Sequence, residues 1–123
     1  MVSPMLLKLI HQVLSKPGGD NHHVPGRLML QSNCEDVALW MKDTAITACG
    51  FRALPMEHPV EKAVDSADLP QRTLSWIEMG GPRAVGPTWS AVPLLPRIGS
   101  TETEVACRLN RTPIHRCLLI PQL

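Results

Sequence analysis

The chain has 123 residues and a mass of 13.5 kDa, which is enough for one domain of ordinary size and too few for two. Twelve Lys and Arg oppose eleven Asp and Glu, so the net charge at pH 7 is +1. The basic residues are scattered along the chain, and no apolar run approaches the roughly 20 residues of a membrane-spanning helix. We therefore expect neither nucleic-acid binding nor a transmembrane segment.

Two features of the composition oppose each other. Hydrophobic residues make up 44% of the chain, as in globular proteins, but aromatic residues make up only 3% and Tyr is absent. The 12 prolines are about twice the average share of roughly 5%. Because aromatic side chains supply much of the area that a core buries, we expect a thin core in a small, partly disordered protein.

The first predicted element is an amphipathic helix over about 4–16. Ser3 and Pro4 are typical of the N-cap and the first helical position, and Pro17 ends the pattern. One apolar stripe is formed by Leu6, Leu9, Ile10 and Val13. This stripe either covers the chain's own core or docks into the groove of a protein partner, since its sequence is similar to short helical docking motifs.

The N-terminal region also bears on localisation. It lacks the basic segment and the cleavage site of a secretory signal, so a cytoplasmic or nuclear protein is the default expectation. No acidic residue precedes Asp20. A mitochondrial targeting segment within 1–30 is therefore the alternative.

The second predicted helix spans about 33–49. Ser32 and Glu35 have the spacing of a capping box, in which each side chain satisfies a free N–H of the first helical turn. Gly50 follows the apolar pattern and can adopt the left-handed conformation that ends many helices. The caps make this the best-specified element of the sequence.

Two shorter elements follow. A third helix is predicted over 59–67, because Pro59 is typical of a first helical position and apolar residues then repeat at helical spacing. Residues 71–79 fit either a helix or a short strand, and the helix is favoured.

The rest of the chain carries weaker patterns. Pro and Gly are concentrated over 80–100, which predicts a disordered, extended linker. The apolar tail over 101–123 fits a short β-hairpin, or a helix that begins at Thr101. The predicted fold class is therefore mainly α: a small irregular helical unit over 1–79, the Pro/Gly-rich disordered segment, and the short tail.

The sequence lacks the common catalytic and ligand-binding motifs. It contains no phosphate-binding loop, no serine-nucleophile motif and no zinc-protease motif. The Cys and His residues lack the paired spacing of zinc ligands, and the thiols are expected to stay reduced. We therefore expect no catalytic residues, no cofactor and no metal, and we do not expect an enzyme. Ser75 and Thr101 lie in sequences typical of kinase sites and are candidates for phosphorylation.

The sequence does not identify a specific function. It favours a non-enzymatic, partly disordered protein that docks to an unidentified protein partner through the stripe of the first helix. The alternative is an open reading frame product without an evolved fold or function, because scattered Arg and Cys and few aromatic residues also arise without selection. The capped helices favour the first hypothesis, and the linker and tail favour the second. The oligomeric state is left open.

Overall fold

The structure is a computed structural model that describes residues 3–15, 26–65, 69–95, 102–110 and 113–122. The helices in these ranges are α1 (Pro4–Ser15), α2 (Glu35–Ala48), α3 (Gln71–Glu78) and α4 (Glu102–Asn110). The strands are β1 (Leu28–Ser32), β2 (Phe51–Ala53), β3 (Pro59–Val60), β4 (Gly86–Ser90) and β5 (His115–Pro121). All five described strands join one antiparallel sheet. The prediction of a mainly α fold is therefore wrong.

The strand β5 organises this sheet. Leu119 pairs with Leu28 of β1 and with Ala53 of β2, so these two strands lie on opposite edges of β5. β4 pairs with β5 through Ser90 and Arg116, and β3 pairs with β4 on its outer side. The sheet thus depends on contacts between residues far apart in the chain, which a local pattern cannot reveal.

The hydrophobic core lies on the face of the sheet that α1 and α2 cover. Alternation along β5 sends Cys117 and Leu119 to this face, where both are fully buried. The core side chains around them include Leu7, Leu30, Ala38, Met41, Ala45, Phe51 and Trp89. Arg116 alternates to the opposite side of β5 and pairs there with Glu104 of α4.

The caps of α1 and α2 agree only in part with the sequence signals. Leu6 N donates to Ser3 Oγ at 3.2 Å, so Ser3 caps α1 as predicted. Gly50 has a φ of 75°, the left-handed conformation expected after α2. The prediction of a capping box at the start of α2 is wrong. Ser32 Oγ accepts a hydrogen bond from Cys34 N at 3.0 Å, and the Glu35 carboxylate accepts its hydrogen bonds from Arg83 and Ala84, in another part of the chain.

The helix predicted over 59–67 is replaced by the short strand β3. Pro59 pairs with Ser90 and Val60 with Gly86. A proline is tolerated there because β3 is an edge strand that needs no donor from that residue. The first helical position and the edge of a sheet both accept proline, so the sequence signal was ambiguous. Residues 66–68 lie outside the described ranges.

The segment predicted as a disordered linker over 80–100 contains β4. Trp89 is only 3% exposed and belongs to the core. Gly80 has a φ of 74° and its N–H donates to Ile77 O, so this glycine forms the turn after α3. The Pro/Gly-rich sequence therefore shapes a turn and a strand, and the prediction of disorder is wrong for its described residues.

The C-terminal tail forms neither the predicted hairpin nor a helix alone. Residues 105–109, whose alternation suggested the first strand of that hairpin, lie in α4, and β5 pairs with strands from earlier in the chain. This outcome combines the helix alternative with one of the two expected strands. Thr101, the expected start of the helix, lies outside the described residues.

Candidate functional site

The outer face of α1 carries four large apolar side chains that nothing in the described part of the chain covers. Met5, Leu6, Leu9 and Val13 are 73%, 46%, 53% and 66% exposed. We call these four residues the α1 outer face. Because side chains three, four or seven positions apart share a side of a helix, they form one continuous apolar strip.

The opposite side of α1 is fixed to the body of the protein. Leu7 is fully buried in the core, and half-buried Ile10 packs against it. His11 Nε2 donates to Gly50 O at 3.0 Å, and its ring meets the Phe51 ring edge-on with the centroids 5.2 Å apart. Three residues of the predicted docking stripe therefore face outward, whereas Ile10 faces the core.

The two predicted phosphorylation residues lie in different circumstances. Ser75 is half-buried on α3, where its Oγ accepts from Gln71 Nε2 at 3.3 Å. A phosphate there would add negative charge to the second half of the helix, which the helix dipole disfavours. Thr101 lies outside the described residues.

A buried acid lies beside the N-terminal end of β5, in a role that its sequence context did not predict. Glu35 is 1% exposed; its Oε1 accepts from Arg83 Nε at 2.7 Å and from Ala84 N at 3.0 Å. Arg83 also donates to Val64 O. Glu35 Oε2 is buried and has no hydrogen-bond partner among the described residues. The carboxylate thus joins the start of α2 to the loop before β4.

His115, the first residue of β5, is buried near this pair. Its Nε2 has no hydrogen-bond partner in the described structure. Burial lowers the pKa of His115 below its usual 6.5; Glu35 opposes this shift, and Arg83 and Arg116 reinforce it. His115 is therefore neutral at pH 7.

The neutral state of His115 predicts a pH-dependent stability. A histidine whose pKa is lowered by folding stabilises the fold above pH 6.5, and this contribution is lost as the pH falls through 6.5 toward the folded pKa. One proton corresponds to a slope of at most about 1.4 kcal/mol per pH unit. Urea unfolding of the wild type between about pH 7.5 and about pH 5, limits that bracket the usual titration range of histidine, should show this loss. The loss should be smaller in His115→Gln, and equal slopes in both proteins would contradict the prediction.

A second buried ion pair lies on the opposite side of β5. Arg116 donates from Nε and Nη2 to the two oxygens of Glu104, the second contact at 2.9 Å, and from Nη1 to Ser90 O at 3.5 Å. These three residues and His115 line a cavity of about 590 Å³ between β3, β4, α4 and the start of β5. The cavity thus places several buried polar groups around one empty volume.

An aromatic groove of about 440 Å³ lies beside α2. It is lined by all three tryptophans of the chain: Trp40, Trp76 and Trp89. The Trp76 ring is held in place, because its Nε1 donates to Pro82 O at 2.7 Å and a Cβ on Gly81 would lie 2.2 Å from the ring. Lys42 Nζ lies 4.6 Å from the centroid of the Trp89 ring, a cation–π contact.

The buried thiol of Cys117, at the centre of the fold, is not a reactive thiolate. All four cysteines are free, and burial raises the pKa of Cys117 to about 12 despite the nearby Lys42 charge. Its thiol therefore stays protonated at neutral pH. Among the described residues, no group of three or more His, Cys, Asp and Glu could hold a metal ion.

The polar residues around β5 gave little signal in the sequence. Glu35 stood out only as a capping residue, and His115 and Arg116 stood in a tail with two possible structures.

No helix in the described ranges is long and apolar enough to cross a membrane. Comparisons of the chain with protein-family models, with curated proteins and with solved structures find no match.

Proposed function

We propose that the chain is a non-enzymatic binding protein that docks to another protein through the α1 outer face. The observation that carries this proposal is the exposure of four large apolar side chains on a helix whose opposite side is buried. Contiguous apolar patches of this kind are uncommon on monomers without an interaction role. Because α1 is already anchored through Leu7 and His11, binding would not require the helix to order first.

The charges of α1 indicate the chemistry of the partner. Lys8 is exposed beside the α1 outer face, and the helix contains no Asp or Glu. A matching surface is therefore an apolar groove with an acidic rim. The α1 of a second copy offers no carboxylate to Lys8, so a separate protein fits better than a homodimer through this face.

The test compares two triple variants. Leu6→Ser/Leu9→Ser/Val13→Ser removes outward side chains and should weaken binding to the partner by at least about tenfold, since buried apolar anchors at an interface cost more than about 1 kcal/mol each. The matched control, Met79→Ser/Val105→Ser/Leu109→Ser, removes apolar side chains that are exposed elsewhere. Binding of the control should equal that of the wild type.

The measurement begins with a photoreactive residue at Leu9 to identify the partner by crosslinking. Titration calorimetry of the two purified proteins then gives Kd for each variant. Lys8→Gln should weaken binding and reduce its dependence on salt, because an exposed charge contact is screened by ions. Equal Kd values for the wild type and the α1 triple variant, with unchanged unfolding curves, would refute the proposal.

A further inference from the structure

The cavity beside β5 has the features of a small-molecule site, and it is separate from the α1 outer face. Its polar lining includes Ser90, Glu104, His115 and Arg116, which are 2%, 4%, 6% and 8% exposed. Four polar side chains buried around one volume of about 590 Å³ are costly to a fold unless their hydrogen-bonding capacity is used. No residue of α1 lines this cavity among the residues described.

The hydrogen-bonding capacity of this lining is only partly used. A guanidinium has five N–H donors, and Arg116 makes its two short contacts with Glu104, while Nη1 makes one long contact of 3.5 Å with Ser90 O. Arg116 Nη1 therefore keeps a donor for a ligand oxygen. His115 also lines this cavity, but its unpartnered Nε2 is itself buried, so Arg116 supplies the donor.

The charges and the apolar groups of the lining define the ligand further. The charged residues balance, since Glu61 and Glu104 oppose Lys62 and Arg116. A charged ligand would lose its hydration without gaining a net opposite charge. Much of the remaining wall is apolar: Val60, Val64, Ala84, Trp89 and Ile114. The cavity therefore suits a mostly apolar body with a neutral acceptor.

We propose that this cavity binds a small, uncharged organic molecule whose carbonyl or amide oxygen accepts a hydrogen bond from Arg116. The apolar body of the molecule packs between β3, β4 and the residues that precede β5. This binding is independent of partner docking, because the two surfaces share no residue.

The test uses four probes of nearly the same shape: para-ethylbenzamide, para-ethylbenzoate, para-ethylbenzylammonium and para-ethyltoluene. Amide chemical shifts of the labelled full chain are recorded during titration with each probe. The neutral amide should bind at least about tenfold more tightly than either charged probe and than the toluene, a difference of about 1.4 kcal/mol. Its largest shifts should fall at cavity residues such as Val60, Ala91 and Ile114. No preference for the amide, or shifts confined to the aromatic groove, would overturn the proposal.

Variants separate this cavity from other sites. Ala91 lies exposed at the rim of the cavity, so Ala91→Trp should block the cavity and weaken amide binding at least about tenfold. Ala48→Trp, at an exposed position on α2 outside the lining, should leave binding unchanged. Trp40→Ala should also leave it unchanged, because Trp40 lines only the aromatic groove. Equal binding by the wild type and Ala91→Trp would overturn the proposal.

A paired replacement tests the hydrogen bond itself. Arg116→Met/Glu104→Leu removes both charges together, which proteins tolerate far better than loss of one partner. The double variant should bind para-ethylbenzamide and para-ethyltoluene equally, because the donor is gone and the apolar wall remains. A retained preference for the amide would contradict the role of Arg116.

Discussion

Replacing Arg83 with Met is expected to lower the free energy of unfolding by about 3–5 kcal/mol, the usual loss when a buried charge is left without its partner. Glu35 is 1% exposed and accepts from Arg83 Nε at 2.7 Å. Without Arg83, the one hydrogen bond left to the carboxylate among the described residues would be that from the Ala84 N–H, at 3.0 Å. Urea unfolding at pH 7, followed by circular dichroism, measures the loss.

A double variant and an exposed ion pair provide the controls. Arg83→Met/Glu35→Leu should recover most of the stability, because an apolar pair of similar size often replaces a buried ion pair at little cost. Arg72→Met breaks the bidentate pair with Asp36, in which the Arg72 and Asp36 side chains are 57% and 22% exposed. It should cost far less than Arg83→Met, because solvent screens an exposed ion pair. If Arg83→Met costs no more than Arg72→Met, Glu35 does not depend on its partner.

The wild-type curve in the same experiment bears on the alternative that the chain has no evolved fold. A sheet whose central strand pairs with β1, β2 and β4 should unfold in one cooperative transition, because loss of β5 removes all of these pairings at once. A gradual change without a transition, together with poorly dispersed amide signals, would favour the unselected reading frame.

Local signals predicted the elements that depend on local chemistry. Ser3 and Pro4 marked the start of α1, and Gly50 marked the end of α2, because a cap requires residues of particular types within a few positions. The same logic failed for Glu35. A carboxylate that caps a helix and one that forms a buried ion pair can have the same sequence context. Glu35 forms the ion pair because the fold brings Arg83, 48 positions later in the chain, into contact with it.

The sheet could not be predicted because its strands are short and pair with residues far away in the sequence. β2 and β3 contain three and two residues, too few to show an alternating pattern. In β5 five of the seven residues are buried and the other two are half-buried, since α1 and α2 cover one face of the strand and Glu104 of α4 meets the other. A strand buried on both faces reads as a plain apolar run, which fits a helix or a strand equally well.

The stripe on α1 shows a further limit of sequence patterns. The helical spacing of Leu6, Leu9 and Val13 was visible, but α1 is apolar on more than one side. Leu7 and Ile10 pack against the core, whereas Leu6, Leu9 and Val13 stay exposed. The side of the helix that packs depends on the surface beneath it, which the sequence of the helix does not contain. The predicted stripe therefore included Ile10, which packs against the core, but omitted Leu7, the residue of α1 that the core buries completely.

Replacing Phe51 with Ala is expected to lower the free energy of unfolding by about 3–5 kcal/mol. Phe51 is the largest fully buried side chain of the described core, and the chain has few other aromatic residues to fill the space. It also joins two layers, because β2 holds it opposite Pro121 while the His11 ring of α1 meets its edge. The loss should therefore reach α1 as well as the sheet.

Hydrogen exchange and two control variants test this reach. In Phe51→Ala the amides of α1 should exchange faster than in the wild type, since the cavity removes the ring that His11 packs against. Phe51→Leu keeps most of the apolar volume and should cost less than the alanine variant. Leu109→Ala, at a side chain that is 77% exposed, should change stability by no more than about 0.5 kcal/mol. Unchanged exchange in α1 of Phe51→Ala would show that Leu7 and Ile10 hold this helix without the aromatic contact.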